Sequence, residues 1–470
     1  MLLHEIDTKM YFILDKNILL KKWQGGCGYY LYRGSIRRYP AKDEEYELLK
    51  QCDGNTDIRQ CFLTKKLEAA RMIHPVEKGA GQLLPDQIKE YPNYYVTNID
   101  WNITDICNCN CLHCFHAADI HSTGRAFFTY DECLQFLDGM VECALTGVRL
   151  TGGEPTLHPR FREILQAIRE RGLWLNTLIT NGLNLNEELL AYMNSIFPGT
   201  QIMLSFDGLG THDWLRQHKG AEEKTLQVIR LCKEAGFNVM INSNLNRKNA
   251  DCMFDSVKLL DEMGVDVIRI IRTTEVPRWA ENAKGMSLPA DEYYRFSADF
   301  AKMYKEGGIN APVIIWQSIY LNGKRKTWTC YAAKAGNCNY DENAPVCSAM
   351  YQKPAVLANG DMIPCAPLAG PYGNAGIRMD NVKEVGLQKA MTGGAFVDAI
   401  THTAGEKLRE NKKCGSCRWA KNCQGGCPAM SFVFDGSLLG SDPTKCIFFN
   451  NGWYEKYAAV MDGWRNLNPL

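Results

Sequence analysis

The sequence has no surplus of charge of either sign, because 53 Lys and Arg residues balance 53 Asp and Glu residues. This balance excludes a bulk electrostatic attraction to nucleic acid or to an anionic membrane. Apolar runs such as Val313–Trp316 are far shorter than the roughly 18 residues that indicate a membrane span. The first residues, Met1–Asp7, carry acids where a secretory signal carries bases. We therefore expect a cytoplasmic protein with neither a nucleic-acid nor a membrane partner.

Low-complexity segments and strong internal repeats are also absent, which excludes disordered and solenoid classes. With 470 residues, 46% of them hydrophobic, the chain predicts two or three domains that need neither disulfides nor zinc to be stable. Cysteine, in contrast, is abundant, with 20 residues. In a reducing compartment, clustered cysteines are expected to be thiolate ligands of a soft metal or an iron–sulfur cluster.

Residues from about 95 to 304 alternate short apolar runs with amphipathic stretches, which is typical of strands joined by crossover helices. We predict an α/β fold in which parallel strands curl into a partial (β/α)6 TIM-like barrel at residues 93–310. The predicted strands are 96–101, 148–151, 173–180, 201–206, 238–242 and 266–271, and the predicted helices are 130–145, 160–171, 187–195, 222–235 and 250–263. The glycines that follow four of these helices as predicted C-cap residues are Gly147, Gly172, Gly236 and Gly264.

Polar residues lie where several of these strands end, at Thr151–Glu154, Asn181–Gly182, Ser205–Gly208 and Asn242–Asn244. Because chemistry in such folds occurs at the carboxyl ends of the strands, these loops are expected to converge on one site.

The regions on either side of the barrel have different patterns. Residues 1–92 predict a separate small domain, with a hairpin that pairs Tyr11–Ile13 with Tyr29–Tyr32 and helices at Asp43–Gln51 and Ile58–Lys66. Residues 311–470 are rich in Gly, Pro and Cys and lose regular periodicity, which indicates a ligand-organised domain that ends in a helix.

Three cysteines follow the first predicted strand. Cys107, Cys111 and Cys114 have the spacing C-x3-C-x2-C. Three thiolates on one short loop can hold three irons of a 4Fe-4S cube and leave the fourth iron open. Alone, the spacing also suits a zinc knuckle or ordinary packing. Cys109 lies off this register, although spacing by itself does not exclude a register error.

This triad, followed at the next strand end by Thr151-Gly152-Gly153-Glu154-Pro155, resembles the radical S-adenosylmethionine (SAM) superfamily. The resemblance implies that SAM binds the open iron and that its reductive cleavage generates a 5'-deoxyadenosyl radical. Two of the implied SAM contacts have structural alternatives, because Ser205 also suits a strand-end turn and His113 an ordinary loop position. The implied contacts are Gly152 and Gly153 with the methionine portion, Glu154 with its ammonium group, Ser205 and Arg216 with the ribose and carboxylate end, and His113 with adenine.

A second cysteine pattern, at about residues 330–450, resembles the SPASM domain of radical SAM enzymes. Its seven cysteines are Cys347, Cys365, Cys414, Cys417, Cys423, Cys427 and Cys446. The resemblance implies two auxiliary 4Fe-4S clusters, and therefore three 4Fe-4S clusters in all. Cys347, Cys365 and Cys427 would serve the first auxiliary cluster, with Cys338 as the fourth ligand and Cys330 as the fallback. Cys414, Cys417, Cys423 and Cys446 would serve the second. If neither Cys338 nor Cys330 binds, an iron is open to a substrate thiolate; two structural zinc sites are the alternative.

Residues Tyr46–Asp57 resemble the helix-turn-helix portion of PqqD-like peptide-recognition elements. The resemblance implies a winged-helix-like domain at residues 1–92 that binds the leader of a ribosomal precursor peptide against an exposed strand edge. Asp53-Gly54 also suits an ordinary turn in a plain cap domain. A winged helix can bind DNA instead, but this region has no dominant basic cluster.

Together these patterns predict a radical SAM/SPASM peptide maturase that installs an oxidative crosslink, with a thioether ranked ahead of a carbon–carbon or carbon–oxygen bond. A flavodoxin- or ferredoxin-type protein is the expected electron donor, and no catalytic acid or base is assigned. One alternative is an anaerobic sulfatase maturase, whose family carries an aspartate where this chain has Ala366. Others are a porphyrin-modifying SPASM enzyme and a non-catalytic metal-binding winged-helix regulator.

Overall fold

The computed structural model describes residues 9–470 except 27, 35–36, 38, 97, 115–125, 274–277, 283–284 and 335–339. Cys338, the predicted fourth ligand of the first auxiliary cluster, lies outside the described residues. The chain forms two compact units, Met1–Tyr95 and Val96–Leu470. Within the described ranges, no helix is both long enough and apolar enough to cross a membrane.

The N-terminal unit contains two small sheets and two helices. Its strands are β1 (Tyr11–Leu14), β2 (Ile18–Gln24), β3 (Gly28–Tyr32), β4 (Tyr39–Ala41), β5 (Ile73–Val76) and β6 (Ile88–Tyr94), and its helices are α1 (Asp43–Gln51) and α2 (Phe62–Ala69). One sheet has the order β4-β3-β2-β6, and the other pairs β1 with β5. The predicted helix at Asp43–Gln51 is confirmed.

The predicted pairing of Tyr11–Ile13 with Tyr29–Tyr32 is wrong. Tyr29–Tyr32 pairs with Ile18–Lys21 in β2, whereas Tyr11 pairs with Val76 in β5. The short connection between β2 and β3 makes β2 the nearest partner for β3, and a hairpin between adjacent strands has a small loop-closure cost. Phe12 and Leu14 of β1 instead bury their side chains in the core of this unit.

The second unit is built on a twelve-stranded sheet with the order β17-β16-β7-β8-β9-β10-β11-β12-β13-β14-β15-β18. Neighbouring strands from β7 to β13 are parallel, so the predicted α/β class with a large, mostly parallel sheet is confirmed. The strands are β7 (Asn98–Asn102), β8 (Gly147–Thr151), β9 (Trp174–Thr180), β10 (Gln201–Ser205), β11 (Asn238–Leu245), β12 (Val267–Arg272), β13 (Val313–Ile315), β14 (Ile319–Asn322), β15 (Thr327–Cys330), β16 (Ala355–Val356), β17 (Met362–Ile363) and β18 (Arg465–Asn466).

Helices connect the parallel strands and form most of the region after β15. They are α3 (Tyr130–Glu142), α4 (Phe161–Glu170), α5 (Glu187–Ile196), α6 (His212–Arg216), α7 (Ala221–Glu234), α8 (Met253–Glu262), α9 (Arg278–Asn282), α10 (Ala290–Glu306), α11 (Ser348–Gln352), α12 (Ala369–Asn374), α13 (Val382–Val385), α14 (Leu387–Ala390), α15 (Gly394–Thr401), α16 (Ala404–Glu410), α17 (Lys412–Gly415), α18 (Ala420–Cys423), α19 (Pro428–Asp435), α20 (Pro443–Asn450) and α21 (Trp453–Val460). The five helices predicted between the strands are present at α3, α4, α5, α7 and α8.

The ends of these helices follow local capping rules with one exception. Gly172, Gly236 and Gly264 have positive φ after α4, α7 and α8, as expected for C-cap glycines. Gly147 does not have this role, because Ala144 takes the positive φ after α3. Gly147 begins β8, where a Cβ would lie 2.9 Å from the carbonyl oxygen of Trp174 on the neighbouring strand.

Aromatic side chains pack between α3 and the face of the sheet that this helix covers. Trp101 in β7 is fully buried and its ring centroid lies 5.3 Å from that of Phe128 and 4.7 Å from that of Phe136. This contact joins the first parallel strand to the helix that follows the cysteine loop.

We expect the Trp101→Ala substitution to lower the free energy of unfolding of the second unit by about 3–5 kcal/mol, because it leaves a cavity between β7 and α3. The control is Val141→Ala on the outer face of α3, where the side chain is 45% exposed and the expected change is within about 0.5 kcal/mol. Urea denaturation measures both free energies of unfolding. It is followed by circular dichroism of the backbone, a signal that does not depend on the substituted tryptophan. Equal midpoints for the two variants would contradict this packing.

Candidate functional site

Four cysteines lie together in the loop that follows β7. Cys107, Cys109 and Cys111 are buried and pack against one another, with Cys114 beside them, and all four are free thiols. The Leu112 amide donates to the Leu215 carbonyl at 3.0 Å, which ties this loop to α6. The predicted triad is therefore brought together, and the off-register Cys109 lies within the same group.

The thiols of this loop differ in acidity. The single proton of the Cys109 thiol, shared between its two neighbours, lowers the pKa of Cys107 and lowers that of Cys111 to about 6. The guanidinium of Arg216, with Nη1 3.7 Å from Cys111 Sγ, also favours the Cys111 thiolate. Cys109 has its pKa raised because it is the shared donor. Thiolate at positions 107 and 111 is the form that binds iron or another soft metal.

The Thr151–Pro155 loop is packed directly on the stem of the cysteine loop. The Gly153 amide donates to the Thr104 carbonyl at 2.7 Å, and the Glu154 amide donates to the Ile106 carbonyl at 2.7 Å. A Cβ on Gly153 would lie 2.7 Å from the Asp105 carbonyl oxygen and closer still to that of Ile106. Glycine is therefore required at position 153 for the two backbones to approach.

Glu154 is fully buried and holds the end of β9 against this loop. Its Oε1 accepts from Thr180 Oγ1 at 2.8 Å and from Thr156 Oγ1 at 2.5 Å, and its Oε2 accepts from the Asn181 amide at 2.8 Å. Burial raises the pKa of Glu154, whereas these hydrogen bonds favour its charged form. The Asn181 side-chain amide in turn donates to Asn108 Oδ1 at 2.6 Å, inside the cysteine loop.

A buried charged group lies below the cysteine loop. Asp207 Oδ2 accepts from Arg216 Nε at 2.7 Å, and His212 Nδ1 lies 3.2 Å from the same oxygen. Burial alone would raise the pKa of Asp207, but the charge of Arg216 and the hydrogen bond with His212 hold it well below its usual value. Asp207 Oδ1 accepts from the Asn244 amide at 2.8 Å, which links the ends of β10 and β11. The predicted convergence of the strand-end loops is confirmed.

Two other predicted SAM contacts lie near the carboxyl ends of the parallel strands. Ser205 is the half-buried last residue of β10. His113 has a buried Nδ1 with no hydrogen-bond partner, and burial lowers its pKa to about 3, so the ring is neutral. Such an orphaned ring nitrogen suits a hydrogen-bonding or stacked ligand. Asp207, His212 and Asn181 were not assigned from the sequence, although Asp207 and Asn181 each precede a glycine at a predicted strand end.

Four cysteines of the C-terminal pattern line a cavity of about 170 Å³. The predicted ligands of the second auxiliary cluster, Cys414, Cys417, Cys423 and Cys446, all line it. Lys413 and Lys445 line the same cavity. Among the described side chains, no three His, Cys, Asp or Glu converge as ligands of a single metal ion would.

A third group of thiols lies near the turn between β16 and β17. Cys365 is close enough to Cys347 and Cys427 for their charges to raise its pKa further, although burial is the larger cause. Gly360 forms this turn with a φ of 102°, and Val356 pairs with Met362 across it. Cys330, the fallback fourth ligand, is fully buried at the end of β15.

Two buried lysines accompany these thiols and were not assigned from the sequence. Lys407 is fully buried, and its Nζ donates to Ser431 Oγ at 2.9 Å and to the Leu438 carbonyl at 3.1 Å. Burial lowers its pKa to about 8, and the nearby Cys427 and Cys414 thiolates act in the opposite direction. The buried Lys445 donates to the Gln317 carbonyl. Both ammonium groups provide positive charge where the cysteine pattern gathers thiolates.

Comparison with known proteins gives a family for the central region. Residues 101–270 match the family model of the radical SAM superfamily. The chain is 28% identical over 360 residues to an AdoMet-dependent heme synthase of Methanosarcina barkeri, covering 74% of this chain and 96% of that protein. It is 24% identical over 264 residues to the sporulation killing factor maturation protein SkfB of Bacillus subtilis, covering 54% of this chain and 61% of SkfB.

Among solved structures, the fold is similar to that of Streptococcus suis SuiB bound to precursor peptide SuiA, with a TM-score of 0.61 and 16% identity. The match covers 93% of this chain and 99% of SuiB. Because Val96–Leu470 alone makes up a smaller share of this chain, the shared fold extends into the N-terminal unit. Residues 101–270, with their cysteine loop and glycine loop at the strand ends, match the radical SAM family model, and the protein is an enzyme.

Proposed function

We propose that this enzyme is a peptide maturase that installs an oxidative crosslink, a thioether or a carbon–carbon or carbon–oxygen bond, in a ribosomal precursor peptide. The observation that carries the proposal is the fold shared with SuiB over both units, because SuiB was solved with a precursor peptide. The similarity to SkfB, a maturation protein, supports the same class.

Radical SAM enzymes use SAM and a 4Fe-4S cluster, and the cysteine loop fits such a group. Cys107, Cys111 and Cys114 would hold the cluster, since their thiols are grouped and two of them have lowered pKa values. When bound, the reduced cluster and SAM supply a primary carbon radical that abstracts a hydrogen atom from the substrate. Gly152, Gly153, Glu154, Ser205, Arg216 and His113 are the proposed SAM contacts.

Several residues of this chain act on that site without touching the substrate. Arg216 orients the Cys111 thiolate while Asp207 fixes the guanidinium, so the charge of the loop is compensated inside the protein. Glu154 holds the end of β9 beside the cysteine loop. The buried packing of the loop excludes water from the thiols, which protects a reactive radical from solvent.

The C-terminal thiols fit two auxiliary 4Fe-4S clusters. The thiol-lined cavity would hold one through Cys414, Cys417, Cys423 and Cys446. Cys347, Cys365 and Cys427 would hold the other, with Cys338 as the proposed fourth ligand. Auxiliary clusters, when bound, supply an acceptor for the electron that ring closure releases. Lys407 and Lys445 offset the negative charge of the thiolates.

We assign leader binding to the N-terminal unit, as a PqqD-like, winged-helix-like element. Strands β4 and β6 are the outer strands of its four-stranded sheet, so an extended leader can be added there as a further strand. A flavodoxin- or ferredoxin-type protein is the proposed electron donor.

A second candidate function is porphyrin modification. The similarity to the heme synthase of Methanosarcina barkeri covers 96% of that protein, and this observation favours a tetrapyrrole substrate. The second experiment below distinguishes a peptide substrate from a porphyrin substrate.

The first prediction concerns the cysteine loop. We expect the reduced protein to convert SAM to 5'-deoxyadenosine, and we expect the Cys107→Ala, Cys111→Ala and Cys114→Ala variants to lose this activity because each removes a cluster ligand. The matched control is Cys109→Ala, which removes a buried thiol from the same loop and should retain activity. Liquid chromatography of 5'-deoxyadenosine measures the result. Full activity in a variant that carries all three cysteine substitutions would rule out this ligand set.

The second prediction concerns the substrate. Co-expression with a small peptide encoded beside the gene should give a peptide lighter by two hydrogen atoms for each ring, because a crosslink removes two hydrogens. Tandem mass spectrometry locates the bridge, and the Cys107→Ala variant is the negative control. Conversion of an iron porphyrin with no change in any peptide would contradict the proposal and favour porphyrin modification.

The third prediction concerns the glycine loop. We expect Gly153→Ala to reduce iron binding at the cysteine loop and to cost about 1–3 kcal/mol of stability, because its Cβ would displace the backbone of Asp105 and Ile106. The control is Gly370→Ala in α12, where a Cβ would meet no atom within 4 Å. Iron content and thermal midpoint are the measurements. Unchanged values for Gly153→Ala would show that the two loops can separate without loss.

A further inference from the structure

A second set of charged side chains faces the inside of the barrel, below the strand ends. It consists of Arg149 in β8, Arg269 in β12 and Asp100 in β7, together with the exposed Lys353 after α11, which is close enough to interact with their charges, and we call it the lumen cluster. Strand alternation fixes the direction of its members: Val148 and Leu150 are fully buried on the helix-covered face, so Arg149 points to the opposite face. Ile268 and Ile270 place Arg269 in the same way.

The lumen cluster has more positive than negative charge. Arg149 Nη1 donates to Asp100 Oδ1 at 2.6 Å, in a pair whose side chains are 13% and 23% exposed. Arg269 Nε donates to the neutral amide oxygen of Asn242 at 2.8 Å, and its guanidinium lies 5.4 Å from the Trp316 ring centroid. Asp100 is a carboxylate close enough to act on both Arg269 and Lys353.

The cations of the lumen cluster are close enough to affect one another. Burial and the charge of Arg149 lower the pKa of Arg269 to about 10, and the same two causes lower the pKa of Lys353. Cys347 acts on Lys353 in the opposite direction, so a thiolate there offsets part of that charge. Asp100 and Tyr331 are the acidic groups that act on Arg269. Asp100 is already paired with Arg149, and burial raises the pKa of Tyr331, which keeps its hydroxyl neutral. A surplus of partly buried cations is unfavourable until an anion neutralises it.

The lumen cluster lies near the proposed radical site. Arg149 precedes Thr151 by two residues in β8, and Asn242, the partner of Arg269, precedes Asn244 by two residues in β11. Two residues of a strand span about 7 Å, so the lumen cluster is one layer below the strand-end loops. A substrate group that reaches past those loops into the barrel therefore meets Arg269 and Arg149.

We propose that the lumen cluster binds a carboxylate of the substrate, and that this carboxylate belongs to an acidic residue next to the modified residue of the precursor peptide. The identity of the substrate as a peptide rests on the proposed function, whereas the carboxylate site rests on the lumen cluster alone. Two guanidinium groups provide the planar, paired donors that bind carboxylates best. The site thereby selects an acidic residue near the reacting carbon.

The test uses the full-length holoenzyme with protection of arginine from phenylglyoxal, followed residue by residue by mass spectrometry. The probes are glutarate and its uncharged analogue glutaramide, and the control residue is the exposed Arg230 in α7. At ten times its dissociation constant, glutarate should slow modification of Arg269 and Arg149 about tenfold and leave Arg230 unchanged. Glutaramide should have no effect. Equal rates with and without glutarate would overturn the carboxylate site.

Two further probes identify the source of the carboxylate. A blocked Gly-Glu-Gly tripeptide should protect Arg269, whereas its Gly-Gln-Gly analogue should not. Protection by a porphyrin with propionate side chains, without protection by the Glu peptide, would overturn the peptide assignment while keeping the carboxylate site. Equal protection by the Glu and Gln peptides would overturn the charge recognition itself.

A variant separates direct binding from a general effect on the fold. Arg269→Met should abolish protection of Arg149 by the Glu peptide, whereas Arg230→Met should retain it, with both variants checked by thermal midpoint. Retained protection in a folded Arg269→Met variant would overturn the role of Arg269. If Arg269→Met does not fold, the protection measured on the unsubstituted enzyme decides the proposal. A failure of peptide crosslinking in the co-expression experiment leaves the glutarate result intact, so the two failures are distinguishable.

Discussion

Main-chain hydrogen bonds between two strand-end loops are the constraint on which the radical SAM site depends. The amides of Gly153 and Glu154 donate to carbonyls in the stem of the cysteine loop, and this approach is open only to a residue without a side chain at position 153. The buried Glu154 then extends the connection to β9. Three loops are thus positioned by main-chain hydrogen bonds and by one buried carboxylate, so protein contacts contribute to the arrangement of the thiols.

Charge is balanced differently at each level of the second unit. Around the cysteine loop, Arg216 is shared between Asp207 and Cys111, so one buried cation contacts both groups inside the protein. In the C-terminal region, buried ammonium groups accompany several thiols. Among the described residues, the lumen cluster has a surplus of cations with a single carboxylate. Under our proposal a substrate group completes this cluster, whereas Arg216 supplies the cation of the cysteine loop from within the protein.

The sequence predicted the parallel strands and connecting helices well, because strands buried on both faces are nearly continuous apolar runs and Gly-rich punctuation separates them. The local spacing of Cys107, Cys111 and Cys114 indicated that these thiols gather, although Cys109, which was left out, lies in the same group. Pairing between strands that are distant in sequence could not be predicted in the same way. β1 pairs with β5, and no local sequence pattern indicates this partner. Arg149 and Arg269 were missed, although an arginine flanked by apolar residues within a strand is a signal of a polar group on one face of the sheet.

The two edges of the radical SAM sheet are closed by the region that follows it in the chain. β16 pairs with β7 at one edge, and β13, continued by β14 and β15, pairs with β12 at the other. Cutting the chain after α10 would therefore uncover two strands at once, each with a row of unsatisfied amides and carbonyls ready to join another molecule. The radical-generating core is consequently not an excisable module, and evolution can exchange its C-terminal partner only for a segment that supplies both bordering strands.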